Sequence, residues 1–498
     1  SISAIPNFLF RVRCCNDRIF FRKTRTMSLP EIPVLRQGKP YESLDKTELV
    51  SVRSGEAVAI MNQANAAMIK RDMRHSNRDA LKAIPSDTLI AMCAEAGKHF
   101  MESTLSVGNQ EQTPDDYVQA LSASSGLPHV LIRRNMAKIY SVFAEMPIIL
   151  RGLTRGLDLN ILDKGYGEQA GVPVSYYATT NALGIVLPSN SPGVNSLWIP
   201  AIALKIPVIL KPGREEPWTP YRIIQAFIKA GIPAEAFSFY PTDHEGSAAV
   251  MEVCKRAIIF GDQSTVERYA ANPGVEVHGP GWSKVLVGAD KIANWDQYVD
   301  VIAASIADNG GRSCINASAV IVPSHGAELA DALARKLAVL KPLPANDPNA
   351  GLAGFANPKM AEYIESAIEE GLKTPGATDV TAKYRDGGRI VEQNGSTYLL
   401  PTIVLCDQFD HPLGNREFLF PYASVIEMPQ DEMVEKMGPS LVVTAITDDP
   451  KFTSQLLDSP HIERLNLGAL PTSHVKWDQP HEGNLFEFLY RRRAIQRA

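Results

Sequence analysis

The chain has 498 residues, of which 45% are hydrophobic and 21% are charged. These proportions exclude extensive disorder and are typical of soluble globular proteins with two or three hydrophobic cores. The formal net charge of −5 excludes the basic excess that nucleic-acid-binding surfaces usually carry. The most apolar stretch, residues 197–210, contains Lys205 and two prolines and is too short to span a bilayer. We therefore expect neither a nucleic-acid partner nor membrane insertion.

The cysteines and the first residues bear on the cellular compartment. Six cysteines in so long a chain are too sparse for a disulfide framework and lack metal-ligand spacing, so we predict no metal and a reducing cytoplasm. Residues 1–26 contain six basic residues and one acidic residue. They fit an arginine-rich organelle transit peptide, and they fit equally a leader or mis-assigned start ahead of Met27. Cytoplasmic localisation is the expectation, with organelle targeting left open.

The predicted elements begin with a helical layer across residues 56–145, where apolar residues recur at helical spacing. From Asn181 onward, short apolar strands alternate with helices. The strands are 184–187, 207–210, 237–240 and 257–260, and the helices are near 196–204, 220–229 and 247–254. This alternation predicts a largely parallel sheet. Thr219 is the expected N-cap of helix 220–229, whose N-terminus could receive phosphate.

A second alternating block begins near Lys284. It contains helices 295–308 and 327–340 and strands 319–322 and 441–447. These elements predict a second α/β domain. Two further segments, 172–179 and 484–491, resemble strands with no partner in their own domain.

One cysteine stands in an unusual setting. Cys314 ends the sequence Gly-Gly-Arg-Ser-Cys at residues 310–314, shortly before an apolar run. A cysteine among small residues is commonly a small core residue, but a thiol presented on such a loop could also be a nucleophile. The motif alone leaves both interpretations open.

Four other motifs accompany Cys314, and their order along the chain is informative. They are Asn-Ser-Pro at 190–192, Leu-Lys-Pro at 210–212, Phe-Gly-Asp-Gln-Ser at 260–264, and Glu-Phe-Leu-Phe-Pro at 417–421. With Gly-Arg-Ser-Cys, this order resembles the aldehyde dehydrogenase superfamily over roughly residues 40–490. The resemblance implies an α/β fold with two parallel-sheet domains plus a small oligomerisation element, and a homodimer or homotetramer.

The resemblance also implies domain boundaries. A nicotinamide cofactor-binding domain is expected over 27–283, with its helical N-terminal layer and an oligomerisation hairpin at about 165–180. A catalytic domain carrying Cys314 follows over 284–455. Residues 456–498 are expected to return to the cofactor domain and supply the oligomerisation strand.

No standard dinucleotide fingerprint is present, because the glycines of residues 165–171 have the wrong spacing. In the resembled family, Lys211 would contact the adenosine ribose and Arg214 would lie near its 2′ position. An arginine there favours NADP through paired hydrogen bonds to phosphate, although NAD remains possible and Arg214 could equally be a solvated side chain. Other cofactor-binding residues implied by the resemblance are Pro188, Ser189, Gly261, Ser264 and Glu417, the last holding the nicotinamide ribose.

The same resemblance assigns Cys314 as nucleophile and the Asn190 amide as an oxyanion donor. Hydrolytic members resolve the resulting thioester with the glutamate of a Leu-Glu-Leu-Gly-Gly-Lys motif. Here residues 275–284 read Val-Glu-Val-His-Gly-Pro-Gly-Trp-Ser-Lys, so Glu276 aligns with that base only if an insertion is allowed. His278 is a second titratable group in this segment, which could act as acid or base or could hydrogen-bond the turn.

The altered base motif resembles the acyl-CoA reductase branch, which includes the fatty acyl reductases of luminescence systems. Our leading prediction is an NADP(H)-dependent oxidoreductase that interconverts acyl-CoA and aldehyde through a thioester on Cys314, with CoA as co-substrate. The alternative is a hydrolytic NAD(P)-dependent aldehyde dehydrogenase with Glu276 as base. A third hypothesis is a non-catalytic, nucleotide-binding member of the family.

Overall fold

The computed structural model describes residues 28–496 and residue 498. The predicted leader or mis-assigned start at residues 1–26 lies outside this described part. Within it, none of the helices combines the length and the apolar composition needed to cross a bilayer.

The first part of the chain is mainly helical and forms one wall of the larger core. Its strands are β1 Glu31–Ile32, β2 Val34–Arg36, β3 Lys39–Tyr41, β4 Lys46–Val50, β5 Ala57–Asn62, β6 Leu105–Val107 and β7 Gln110–Gln112. Its helices are α1 Ala66–Met73, α2 Asp79–Lys82, α3 Ser86–Glu102, α4 Pro114–Ser125, α5 His129–Ala144, α6 Met146–Leu153 and α7 Asn160–Lys164. Aromatic side chains of α3, α4 and α5 meet in the core, where Phe100 packs against Tyr117 and Phe143.

The second part builds the first large sheet. Its strands are β8 Tyr166–Gln169, β9 Val172–Ala178, β10 Leu183–Val186, β11 Val208–Lys211, β12 Phe237–Phe239, β13 Arg256–Phe260 and β14 Val275–His278. Its helices are α8 Pro200–Ala203, α9 Trp218–Lys229, α10 His244–Val253 and α11 Gln263–Tyr269. The sheet order is β14-β13-β10-β11-β12-β2-β3, and β14 through β12 run parallel. The carboxyl ends of these five strands therefore share one edge, where ligands of open α/β sheets bind.

The third part builds the second large sheet. Its strands are β15 Ser283–Val287, β16 Ala317–Val322, β17 Ala377–Asp379, β18 Ile390–Gln393, β19 Ser396–Leu399, β20 Thr402–Cys406, β21 Tyr422–Glu427, β22 Ser440–Ile446 and β23 Ile462–Leu467. Its helices are α12 Val299–Ala307, α13 Gly326–Leu337, α14 Pro358–Leu372, α15 Gln430–Lys436 and α16 Pro450–Asp458. The order is β17-β20-β21-β16-β15-β22-β23, parallel except for β17. Two parallel-sheet α/β domains are thus confirmed.

The second sheet extends beyond residue 455, the predicted end of the catalytic domain. Strand β23 hydrogen-bonds to β22 along five residue pairs. Its residues are only partly buried because it is the edge strand, which weakens the apolar signal in the sequence. The predicted boundary is therefore wrong at this point.

A three-stranded sheet stands apart from both domain sheets. It has the order β24-β9-β8, where α17 Leu485–Leu489 leads into β24 Tyr490–Arg493. The predicted strand 484–491 is thus wrong over most of its length, because the Asn484 side chain accepts hydrogen bonds from Phe486 and Glu487 and starts a helical turn. The pairing of β9 with the C-terminal strand forms the small extra element that was expected, and its role in oligomerisation stays a prediction.

Candidate functional site

A cavity of about 900 Å³ lies at the carboxyl edge of the first sheet and reaches the loop that precedes β16. This volume is typical of a small-molecule or cofactor site. Eight of the residues predicted from the sequence line it, namely Pro188, Ser189, Asn190, Gly261, Ser264, His278, Cys314 and Glu417. The fold therefore brings together motifs that are far apart in the chain.

The cysteine loop is held by close backbone packing. Asn309, Gly310 and Gly311 have φ values of 56°, 68° and 69°, which form a tight turn before Cys314. A Cβ on Gly311 would lie 2.4 Å from the backbone of Phe420, so glycine is required where the loop meets the Glu-Phe-Leu-Phe-Pro segment. Cys314 is half-buried on the cavity wall, whereas the other cysteines of the described residues are buried.

Side chains fix this loop from both sides. The Asn190 Nδ2 donates a hydrogen bond of 2.8 Å to the carbonyl of Arg312, so the Asn190 amide lies against the cysteine loop. The buried Arg312 guanidinium donates to the carbonyls of Ser125 and Gly354. Burial lowers the pKa of Arg312 to about 10. The function of Asn190 as oxyanion donor remains a prediction that this placement supports.

The thiol of Cys314 lies among ionisable groups. Burial and the nearby carboxylates of Glu417 and Glu482 raise its pKa to about 12, and the Lys138 ammonium opposes them. The thiol is therefore protonated at neutral pH in the absence of bound ligands. Attack on a carbonyl requires that its proton be taken up elsewhere.

Glu417 is fixed by the loop between β14 and β15. Its Oε2 accepts hydrogen bonds of 2.8 Å from the backbone N–H groups of both Gly281 and Trp282. Burial raises the pKa of Glu417 to about 7, although these two donors and the charge of Lys284 oppose the rise. The carboxylate is therefore held in one orientation on the cavity wall.

His278 is bound between two carboxylates. Its Nε2 lies 2.8 Å from Glu276 Oε1, and its Nδ1 lies 3.0 Å from Glu482 Oε2. Burial lowers the pKa of His278, but the charges of Glu482 and Glu276 outweigh it and the pKa is raised. Glu276 is not among the lining residues of the cavity, and its contact with the site is through His278.

The two residues predicted to bind the adenosine end of the cofactor, Lys211 and Arg214, differ in how far they are buried. Lys211 ends β11 and is half-buried, and Arg214 is exposed; neither is among the residues that line the cavity. Glu215 lines it instead, and its backbone N–H donates to Ser189 Oγ at 3.2 Å. The sequence reasoning thus identified the right loop but did not single out Glu215.

The N-terminus of α9 differs from the expectation. The helix begins at Trp218, one residue before the predicted N-cap Thr219. Glu216 Oε1 accepts hydrogen bonds from the Thr219 backbone N–H at 2.9 Å and from its hydroxyl at 2.6 Å. Because both residues are buried and the Glu216 carboxyl group already accepts from this end of the helix, the predicted phosphate site is wrong.

Sequence reasoning missed a group of residues around the thiol. Lys138 and His481 line the cavity, Glu482 binds His278, and Arg464 donates a 2.7 Å hydrogen bond to His481 Nδ1. These side chains come from α5, β23 and the C-terminal segment, and none belongs to a local motif. The sequence Pro-His-Glu-Gly at 480–483 was the one available signal, and it is weak.

Comparison with known proteins identifies the class to which this fold and site belong. The family model described as the aldehyde dehydrogenase family matches residues 54–438. The chain belongs to the aldehyde dehydrogenase family. The predicted superfamily is confirmed.

Individual relatives are distant. The malonate-semialdehyde dehydrogenase of Bacillus pumilus is 28% identical over 274 residues, which cover 50% of each chain. The mitochondrial aldehyde dehydrogenase of Leishmania tarentolae is 25% identical over 271 residues, covering 52% of this chain and 53% of the relative. The chain thus spans about half the length of these curated relatives.

Solved structures show the fold over nearly the whole chain. The aldehyde dehydrogenase KauB from Pseudomonas aeruginosa has a TM-score of 0.76 and 18% identity, covering 93% of this chain and 96% of that one. An indole-3-acetaldehyde dehydrogenase in complex with NAD+ has a TM-score of 0.75 and 18% identity, covering 94% and 96%. The predicted aldehyde dehydrogenase-like fold class is therefore confirmed.

Proposed function

We propose that this chain oxidises an aldehyde to a carboxylic acid, with NAD(P) as hydride acceptor and a thioester on Cys314 as intermediate. The observation that carries the proposal is the half-buried thiol on the cavity wall, with the His278-bound carboxylate of Glu482 near enough to raise its pKa. The names of the relatives, which are aldehyde and semialdehyde dehydrogenases, support oxidation.

A nicotinamide cofactor fits the cavity. The space is about 900 Å³ and follows the carboxyl ends of β10 and β13, the edge where open α/β sheets bind dinucleotides. The residues that would hold the cofactor are Pro188, Ser189, Gly261, Ser264 and Glu417. The carboxylates of Glu215 and Asp262 on this wall favour NAD, since they repel an additional phosphate, whereas the exposed Arg214 favours NADP.

The chemistry divides into acylation and deacylation. Cys314 Sγ gives its proton to solvent water and bonds to the carbonyl carbon, while the Cys314 backbone N–H and the Asn190 amide stabilise the oxyanion. A nicotinamide cofactor held by the lining residues would supply the acceptor for the hydride that leaves this carbon as the thioester forms. Glu482 then takes a proton from water, whose oxygen bonds to the acyl carbon as the C–S bond breaks. The proton passes from Glu482 to the departing Cys314 sulfur, and the carboxylic acid is released.

The CoA-dependent reaction is the second candidate. Glu276, the residue aligned with the family base, and Glu482 are both absent from the lining of the cavity, and both nitrogens of His278 are engaged with carboxylates. If no residue activates water, a CoA thiol would have to resolve the thioester. The acyl-CoA reductase interpretation rests on this absence in the described cavity and on the altered motif at residues 275–284.

The deciding measurement is absorbance at the reduced-nicotinamide band. Purified protein is mixed with an aldehyde and either NAD or NADP, with and without CoA. We expect turnover without CoA and a carboxylic acid as product, and none with Cys314→Ala at an unchanged circular dichroism spectrum. Turnover that requires CoA and yields acyl-CoA would replace hydrolysis by the second candidate, and full activity of Cys314→Ala would contradict both.

A further inference from the structure

One face of helix α5 connects the cysteine loop with the C-terminal segment. Asn135 Nδ2 donates a 2.7 Å hydrogen bond to Asn309 Oδ1, on the turn that precedes Cys314. Six residues further on, Ser141 Oγ accepts a 2.8 Å hydrogen bond from Trp477 Nε1. Lys138 lies midway, three residues from each, and therefore on the same face. Both flanking side chains are engaged, and Lys138 lines the cavity between them.

The ammonium of Lys138 has no counter-ion in the described structure. Neither a hydrogen bond nor an ion pair involves its Nζ among residues 28–496 and 498. Burial lowers the pKa of Lys138 to about 8, and the charge of Arg464 lowers it further while Cys314 opposes. Lys138 is partly exposed and lines the cavity, so its ammonium, which has no counter-ion among the described residues, is available to the anionic group of a ligand.

A second cation lies near Lys138. Arg464 donates to His481 Nδ1, and the positive charges of Arg464 and Lys138 both lower the pKa of His481, after burial as the main cause. His481 is therefore neutral, so Lys138 carries the positive charge on this part of the cavity wall, and Arg464, which does not line the cavity, contacts it through His481. The nearby Glu482 is already paired with His278 and does not neutralise them.

We propose that the cavity binds aldehydes that carry an anionic group, a carboxylate or a phosphate, and that the Lys138 ammonium binds this group. The inference rests on the proposed aldehyde oxidation and adds the substrate class to it. Lys138 could instead serve only as the counter-ion of the Cys314 thiolate. Arg464 is engaged with His481 and does not line the cavity, so Lys138 alone would meet the anionic group, and the tests below separate the two roles.

The first test compares aldehydes of similar length. We measure kcat/KM for butanal, for 4-oxobutanoate and for glyceraldehyde 3-phosphate. A charge-assisted hydrogen bond corresponds to about 10- to 100-fold in binding. We expect Lys138→Met to lower kcat/KM by this factor for the preferred charged aldehyde and to leave butanal nearly unchanged, with Lys138→Arg retaining most activity. The charged aldehyde whose kcat/KM falls more shows whether Lys138 binds a carboxylate or a phosphate.

Arg134→Met is the matched control, because Arg134 lies on the same helix with an exposed side chain outside the cavity wall. It should behave as the unmodified chain with all three aldehydes. Equal losses for butanal and the charged aldehydes in Lys138→Met would overturn the proposal and assign Lys138 to the thiol. No preference for charged aldehydes in the unmodified chain would also overturn it.

The second test needs no turnover. Alkylation of Cys314 by iodoacetamide is followed by peptide mass spectrometry, with succinate, inorganic phosphate or neutral butyramide present. We expect one of the two anions to slow alkylation in the unmodified chain and in Arg134→Met, and to lose this effect in Lys138→Met. If the chain oxidises butanal but neither anion slows the alkylation of Cys314, the anion site is contradicted and the proposed function is not. Protection in a chain that oxidises no aldehyde contradicts the proposed function instead.

Discussion

At the scale of single residues, we assign Glu482 as the base that resolves the thioester, because Glu417, the other carboxylate that acts on the Cys314 thiol, is already held by two backbone N–H groups. Burial raises its pKa to about 7, and the opposing charge of His278 lies 3.0 Å away. A base with a pKa near the working pH is effective in proton transfer. Glu482→Gln removes the base and keeps the shape, so we expect deacylation to fall about 100-fold or more. Stopped-flow absorbance should show a first-turnover burst of reduced nicotinamide without steady turnover, and intact mass should show the acyl-enzyme.

Glu276→Gln is the natural comparison. Its carboxylate contacts His278 Nε2 and acts on the Cys314 thiol less strongly than that of Glu482, so we expect a smaller loss and no accumulated acyl-enzyme. Accumulation in Glu276→Gln but not in Glu482→Gln would show that Glu276, the base expected from the sequence, is the correct assignment.

The residues that could be predicted are those within local motifs. Cys314, Asn190 and Glu417 each lie in a short pattern, and all three line the cavity. Lys138 and Glu482 lie in no such pattern, because their positions depend on how α5 and the C-terminal segment pack against the cysteine loop. Sequence alone gives no measure of that packing.

At the scale of elements, Glu216 makes the start of α9 sensitive to pH. This carboxyl is 1% exposed, and burial raises its pKa to about 8 despite its hydrogen bonds to Thr219. The folded chain therefore keeps a proton that the unfolded chain releases, so stability falls as pH rises from the ordinary carboxyl range through about 8. We expect Glu216→Gln to remove a pH-dependent loss on the order of 3 kcal/mol between pH 5 and pH 9.

Urea unfolding at several pH values tests this expectation. Glu48→Gln serves as control, because Glu48 is exposed on β4 and its replacement should leave the pH profile unchanged. A Glu216→Gln profile that falls with pH as steeply as that of the unmodified chain would contradict the assignment.

Helix α9 also shows what periodicity can predict. The apolar spacing located the helix to within two residues at its start, since the observed bounds are Trp218–Lys229. It did not predict that Glu216 accepts the hydrogen bonds of Thr219, because a buried glutamate in that position is exceptional. The prediction of a strand at 484–491 was wrong for a related reason. The residues have a strand-like apolar pattern, but the Asn484 side chain caps a helical turn there.

At the scale of the whole molecule, the two-domain architecture could be predicted because βαβ alternation is repeated twice along the chain. The contacts between domains could not, since they join backbone groups that carry no sequence signal. Gly354, before α14, donates its N–H to the carbonyl of Gly126 at the end of α4, 3.1 Å away. Arg312 reinforces this contact by donating to the carbonyls of Ser125 and Gly354.

Arg312 should therefore support both stability and catalysis. Arg312→Met removes the guanidinium and leaves the buried carbonyls of Ser125 and Gly354 without this donor, so we expect a loss of about 2–4 kcal/mol in the free energy of unfolding. The exposed Arg133 pairs with Asp115, and Arg133→Met should cost less than about 1 kcal/mol. Because Arg312 also holds the cysteine loop, its variant should react more slowly in aldehyde oxidation even at temperatures where it is fully folded. Unfolding by urea, read together with activity at low temperature, checks both effects. A variant as stable and as active as Arg133→Met would show that the domains keep the loop in place without this side chain.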